Sequence, residues 1–206
     1  MDNRFDREAS QWDQQERRVK MAADIAQAMS RALRLGPDRD LLDFGAGTGL
    51  VTLKLRPHVR KVFAFDTSAG MLRALGDKLA QDRIGNVELV QGTPGESSPR
   101  LPTVDVIVSS MALHHVRDIA AMARAFRSAL RSGGQLAVAD LDPEGGQFHT
   151  EHDDVMHDGF DHDQLRETFA AAGFADIVFG EATAVEKPVA DGSSRRFTVF
   201  LMTARA

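Results

Sequence analysis

Apolar residues recur at Val19, Ala22, Ile25, Ala26, Met29 and Leu33, the three- and four-residue spacing of one helical face, and the run stops at Gly36-Pro37. The spacing predicts an amphipathic helix near the N-terminus. Short β-like runs follow at 41–44, 62–65, 87–90, 104–108 and 136–139, with helical stretches around Thr52, Leu72 and Ala123 between them. Strand–helix alternation of this kind predicts an α/β fold with a parallel, doubly wound sheet. The last part of the chain departs from it. Asp161-His162-Asp163-Gln164 has the form of a capped helix start and Gly173 that of a stop. Two long strands then occupy roughly 175–185 and 196–204, with Pro188 and Asp191-Gly192 between them, so a hairpin should add an antiparallel strand at the finish. The segment 141–160 has no clear period and is expected to run over the carboxyl edge of the sheet.

With 206 residues and no internal repeat, the chain is expected to form one domain. Its parts would be a lid and helix over 1–36, a core over 37–140, and a loop, helix and hairpin over 141–206. The absence of cysteine rules out disulfides, thiolate metal sites and a cysteine nucleophile. No apolar run approaches the ~20 residues that span a bilayer, and Asp2, Arg4, Asp6, Arg7 and Glu8 at the start are unlike a signal peptide. A soluble, cytoplasmic protein is expected, as a monomer or homodimer and without a membrane partner. The net charge is -5, but the stretch 140–163 alone holds nine acids, four histidines and no Lys or Arg. The remainder is mildly basic and its charges are spread along helical faces, which does not favour nucleic acid as a partner.

Candidate chemistry begins at Leu41-Leu42-Asp43-Phe44-Gly45-Ala46-Gly47-Thr48-Gly49-Leu50, an apolar strand that enters a glycine-rich turn and then a helix. Side chains at Gly45 and Gly47 would keep a ligand off the backbone at the strand's carboxyl end. In a nicotinamide-binding turn the third glycine usually falls one position later, where this chain has Leu50, so the spacing argues against NAD. Asp66 closes the second strand, where a carboxylate can accept both hydroxyls of a ribose.

On these residues the chain resembles the class I S-adenosylmethionine-dependent methyltransferases. Asp43-Phe44-Gly45-Ala46-Gly47-Thr48-Gly49 is similar to their first motif and Phe65-Asp66-Thr67-Ser68-Ala69-Gly70-Met71-Leu72 to their second. Val104-Asp105-Val106-Ile107-Val108-Ser109-Ser110 resembles their fourth strand, and Arg131-Ser132-Gly133-Gly134-Gln135-Leu136 their turn into the fifth. The resemblance implies a doubly wound, Rossmann-like sheet of seven strands, mostly parallel with the last antiparallel, and helices on both faces. It also implies S-adenosylmethionine as cofactor and S-adenosylhomocysteine as product. Contacts to the cofactor would come from Asp43, Gly45, Ala46, Gly47, Asp66, Thr67, Met71, Gly92, Thr93, Pro94 and Ser109. Within that set Asp43 would hold the amino-acid end, Asp66 the ribose, and Met71 the adenine side. Thr93 stands where such enzymes often carry an aspartate.

Displacement at a sulfonium needs an aligned acceptor and exclusion of water; a base is needed only for some acceptors. His114 and His115, in Leu113-His114-His115-Val116 after the fourth strand, are the first catalytic candidates. Helix capping by one and inward packing by the other is the competing role. His157, in His157-Asp158-Gly159-Phe160-Asp161, is the candidate from the acceptor side. The acidic window also brings His149, Glu151, His152, Asp153, Asp154, Asp158 and His162, yet its spacing matches no metal-ligand pattern, and a solvated loop without metal is expected. Phe5 and Trp12 would close or pack the N-terminal segment over the site. Methyl transfer to a small-molecule acceptor is the expected function. An RNA or protein methyltransferase and a non-catalytic S-adenosylmethionine-binding protein are the alternatives, since cofactor residues alone do not establish turnover.

Overall fold

The computed structural model describes residues 4–93, 96, 99–149, 154–189 and 192–206. Two short N-terminal turns, α1 (Arg4–Glu8) and a 3-10 turn (Ala9–Gln14), lead into α2 (Glu16–Ala32). Strand β1 (Asp40–Phe44) is buried at every residue and feeds α3 (Thr52–Leu55), a single turn where the sequence pattern suggested a helix. After it come β2 (Lys61–Asp66), α4 (Ala69–Gln81), β3 (Val87–Gln91), β4 (Val104–Ser110), a 3-10 turn (Leu113–His115), α5 (Ile119–Ala129) and β5 (Leu130–Leu141). The chain closes with α6 (His162–Ala171), β6 (Ala175–Pro188) and β7 (Ser194–Arg205).

The helix starts are written locally. Ser68 Oγ accepts from the Met71 amide at the head of α4, Asp118 accepts from Ala121 at α5, and Asp161 accepts from Asp163 and Gln164 at α6. Each side chain satisfies a backbone donor that the first helical turn leaves unpaired.

The seven strands form one sheet in the order β3-β2-β1-β4-β5-β7-β6. β1 to β5 are parallel neighbours, whereas β7 runs antiparallel to both β5 and β6. The C-terminal hairpin is therefore folded back so that the last strand lies inside the sheet and β6 forms the edge. Both faces are covered, and alternate residues of one strand enter different cores. Leu41, Val106 and Val108 pack with Ile25 and Met29 of α2. Leu42 and Ile107 pack on the opposite face with Phe126, Phe169 and Phe200. A third, smaller cluster of Ala46, Ala64, Leu75 and Leu79 seats α4. Strand order reverses between β1 and β4, and the crevice at the carboxyl ends of these strands is where an open α/β sheet accepts a ligand. Among the described residues, no helix is long and apolar enough to cross a membrane.

Phe126 is fully buried, with its ring 5.1 Å edge-on to Phe44 beneath the crevice. Phe126→Ala is expected to cost about 3–5 kcal/mol of stability. Urea denaturation should show this as a lower midpoint with an unchanged slope.

Candidate active site

The crevice holds a cavity of about 420 Å³ that runs from the ends of β1 and β2 to the end of β4. Backbone shape sets its floor. Gly45 and Gly47 adopt φ of +75° and +55°, conformations that side chains disfavour. A methyl group at Gly45 would lie 2.3 Å from Ala112 Cβ, so the glycine allows β1 to approach the turn after β4. Gly47 is different. A methyl group there would meet nothing within 4 Å, so its open side leaves bare backbone facing free space, as a ligand lying along the chain requires.

Asp66 ties this loop to the next helix: Oδ2 accepts from the Gly47 amide at 2.7 Å and Oδ1 from the Ser68 amide at 2.8 Å. Burial pushes its carboxyl above the usual range, against the pull of these amides. Asp43, fully buried at the end of β1, accepts a hydrogen bond from Thr52 Oγ1. Burial, with a smaller contribution from the neighbouring Asp66, raises its pKa to about 6.

The N-terminal segment covers the cavity through contacts that no local sequence signal announces. Asp6 accepts from Ser68 Oγ at 2.7 Å and from the Gly70 amide at 2.6 Å, at the head of α4. Asp13 pairs with Lys78 and accepts from Thr48 Oγ1 at 2.6 Å, while Lys78 also donates to the Thr48 carbonyl. Phe5 and Trp12, carried between these anchors, line the cavity with Arg18 and Met21 of α2.

At the far end stands the turn Leu113–His115. Its anchor is Asp140, the penultimate residue of β5 and completely buried. One oxygen accepts from the Leu113 and His114 amides, and the other takes His114 Nδ1 at 2.7 Å and the Leu141 amide at 2.8 Å. Burial alone would raise this carboxyl, but His114 and the backbone donors outweigh it and hold the pKa below the ordinary value. His115 Nδ1 lies 2.6 Å from the Asp154 carbonyl, which can only accept, so this nitrogen carries the proton and Nε2 offers a lone pair. The Met156 and His157 amides both donate to the His114 carbonyl. The segment after β5 thus rests on the histidine turn, and Asp154 and Met156 join His115 in the cavity wall.

Residues 14–178 match the methyltransferase domain family. The chain belongs to this family. Over 162 residues, 70% of the chain, it is 28% identical to an uncharacterised methyltransferase of Schizosaccharomyces pombe, of which it spans 56%. Over 118 residues, 55% of the chain, it is 32% identical to a demethylmenaquinone methyltransferase of Mycobacterium marinum, of which it spans 46%. In fold it is similar to the YcgJ protein of Bacillus subtilis, with a TM-score of 0.72, 16% identity and coverage of 88% of this chain and 97% of the other.

Within this domain, Asp43, Gly45, Ala46, Gly47, Asp66, Thr67, Met71 and Thr93 all line the same cavity, and His115 lines it with them. The remaining cofactor and catalytic candidates lie elsewhere or outside the described residues, whereas Phe5, Trp12 and Asp154 also line the cavity. Gly92 sits behind the Phe65 ring, which a methyl group there would strike at 2.2 Å. Ser109 is fully buried, with its hydroxyl unpartnered, and its neighbour Ser110 faces the cavity. Pro94, Glu151, His152 and Asp153 are outside the described residues. His114 is 1% exposed and lies behind the wall. His157 donates from Nε2 to the Val116 carbonyl at 2.9 Å, and its ring rests 5.1 Å from Phe160, which makes it a clamp on the loop. His162 pairs with Asp142 at 2.7 Å and stacks on Phe179. Among the described residues, no three metal-type side chains are arranged to hold an ion.

Several site residues have no motif to announce them. Asp140 closes β5 level with the histidine turn, and only the pairing of β4 with β5 brings the two together. Met111 occupies the left-handed region at φ +54° on the cavity wall, a strained conformation of the kind that clusters at working sites. His149 packs 4.9 Å from His114 and 5.9 Å from His115, so three imidazoles share one patch.

That patch should govern acid stability. Burial, followed by the neighbouring histidines, lowers the pKa of His115 to about 4 and of His149 to about 3, from an ordinary 6.5. An unfolded chain protonates these rings below pH 6.5, but the folded one keeps them neutral to far lower pH. Their contribution to stability is therefore complete above pH 6.5 and is lost as the pH falls toward 4. Asp43, whose pKa is raised, acts in the opposite sense between about pH 4 and 6. Urea midpoints measured across this window should fall with acid, and His149→Gln should flatten the fall.

Proposed function

We propose that this methyltransferase transfers a methyl group from S-adenosylmethionine to a small-molecule acceptor by in-line displacement, with His115 facing the acceptor. The observation that carries the reading is the continuous cavity that joins the Gly47 and Asp66 end to the His115 end. Bound there, S-adenosylmethionine supplies a methyl group on a positively charged sulfur, open to displacement by an acceptor lone pair.

Each part of the chain has a separate task in this reading. The open side of Gly47 gives the cofactor room along the backbone. Asp66 exchanges its amide partners for ribose hydroxyls, and Asp43, Met71 and Thr93 border the remaining parts of the cofactor. Phe5 and Trp12, held by the Asp6 and Asp13 contacts, keep water out. A histidine with a pKa of about 4 is a weak base, so His115 acts chiefly by accepting a hydrogen bond at Nε2 and fixing the acceptor's orientation. Such a site suits an acceptor whose reacting atom already has an available lone pair. Two features support a small acceptor. The cavity is roofed by the protein's own N-terminal segment, and one relative is named for methylation of demethylmenaquinone.

Calorimetric titration should show S-adenosylmethionine and S-adenosylhomocysteine binding, with no binding of NADH. Asp66→Ala should weaken both by about 1.5–3 kcal/mol, the value of a charge-assisted hydrogen bond to a ribose; unchanged affinity would remove Asp66 from this role. His115→Asn should lower turnover of any accepted substrate while cofactor affinity stays within about twofold, less than 0.5 kcal/mol. Equal loss of both would assign His115 to folding.

A further inference from the structure

Three imidazoles share the patch beside the cavity, and their Nε2 atoms have different surroundings. Those of His114 and His149 are buried without a hydrogen-bond partner. Of the three, the Nε2 of His115 is the one that stays open. No hydrogen bond occupies it, it is not among the buried unpartnered atoms, and the residue lines the cavity. Nδ1 of the same ring holds its hydrogen against the Asp154 carbonyl at 2.6 Å, so the hydrogen stays off Nε2 while that contact stands. Burial keeps the ring neutral down to about pH 4. What His115 offers a ligand is therefore a lone pair and no hydrogen.

A lone pair of this kind selects its partner. A thiolate or phenolate has no hydrogen on the reacting atom and meets Nε2 lone pair to lone pair. A neutral hydroxyl donates to Nε2, but its proton must leave as the new bond forms, and a ring with a pKa of about 4 takes it poorly. A neutral amine meets both conditions, with a lone pair for the methyl group and a hydrogen for Nε2. Aliphatic amines such as that of lysine are protonated at neutral pH and have no free lone pair, whereas an amine attached to an aromatic ring is weakly basic and neutral there. The rings of Phe5 and Trp12 line the same cavity with centroids 5.9 Å apart, and Phe5 stands 5.1 Å from His115 and nearly perpendicular to it. They give an aromatic guest apolar contact beside Nε2. Charge in the lining does not set the class, since Arg18 and Arg117 share it with Glu96 and Asp154.

We propose that the acceptor is a weakly basic aromatic or heteroaromatic amine, methylated on nitrogen while its N–H donates to His115 Nε2. This rests on the methyltransferase reading above and names the class of compound taken at that site. The nitrogen lone pair forms the N–C bond as the C–S bond breaks, and the electron pair of the broken bond stays on sulfur. The products are neutral S-adenosylhomocysteine and an N-methylammonium, whose hydrogen remains on nitrogen through the step and passes to water afterwards. The N–H gains positive charge as the bond forms, so its hydrogen bond to Nε2 is stronger in the transition state than in the ground state, the condition for it to speed the reaction.

The test uses aniline, N,N-dimethylaniline, phenol and thiophenol with the full-length protein at neutral pH. Calorimetric titration of protein saturated with S-adenosylhomocysteine should show aniline and phenol, which donate, binding about three- to tenfold more tightly than N,N-dimethylaniline, which does not. With S-adenosylmethionine instead, and rates without protein subtracted, N-methylaniline should form at least about tenfold faster than anisole or thioanisole. In long-range 1H–15N spectra of the unaltered protein His115 should be the Nδ1–H tautomer, and its Nε2 signal should move on addition of aniline but not of N,N-dimethylaniline. His115→Phe should abolish the binding preference while S-adenosylhomocysteine affinity stays within about twofold; if this variant fails to fold, the spectra decide. Equal binding of aniline and its dimethyl derivative, faster methylation of phenol or thiophenol, no methylation of any compound, or an unmoved Nε2 signal would each overturn the proposal. If S-adenosylhomocysteine itself fails to bind, the cofactor reading falls and this inference falls with it; if it binds while the panel fails, only the inference falls.

Discussion

The buried carboxylate of Asp140 is the point on which the His115 end of the cavity depends. It gathers three backbone amides and one imidazole in a region with no solvent, and each hydrogen bond there offsets part of the cost of burying the charge. Through it the end of β5 grips the turn after β4. Through that turn the grip extends further, because the amides of Met156 and His157 lean on the His114 carbonyl and His115 reaches the Asp154 carbonyl. One carboxylate thus fixes the turn that carries His115, while the Asp154 carbonyl sets the tautomer of that ring. A buried pair of this kind adds little net stability but is costly to break, as expected of a group retained to fix one geometry.

The Gly47 and Asp66 end of the cavity is organised by a second set of acids with a different task. Asp66 holds the glycine loop against α4 by its own hydrogen bonds, so the loop is already shaped without a ligand. Asp6 and Asp13 bring the N-terminal segment onto the same two elements. Gly70 makes this approach possible, since a methyl group there would lie 2.8 Å from Asp6 Cα.

Electrostatics unites the two halves. In the proposed reading the cofactor carries a sulfonium, a cation whose binding charged imidazoles beside it would oppose. Burial of His115 and His149, which holds both rings neutral far below their ordinary pKa, removes that conflict at the cavity wall. The same neutrality makes His115 a poor proton acceptor and a good hydrogen-bond acceptor. Site chemistry and acid stability therefore share one physical cause, the desolvation of rings that the fold has crowded together.

Much of the protein is legible in the linear order of its residues. Strand positions, the capped starts of α4, α5 and α6, the glycine turn and Asp66 all depend on interactions within a few residues, so their signals survive in that order. The resemblance to class I methyltransferases adds the seven-stranded sheet and its antiparallel finish, which local patterns only outline. What the order of residues leaves open is direction. His114 and His115 are neighbours of the same type, and nothing in the chain tells which one faces a ligand. Asp140, far along in the sequence, decides it by taking His114 into the interior and leaving His115 in the wall. His157, read from the sequence as an acceptor-side residue, hydrogen-bonds the Val116 carbonyl and rests on Phe160, whereas Arg18, Met111 and His149 acquire their places only through packing between distant segments. Periodic burial and short-range hydrogen bonds thus write the fold and the glycine-loop end of the cavity into the amino-acid order. The His115 end is set at the tertiary level, because the contacts that aim its side chains form only when strands and loops far apart in the chain are brought together.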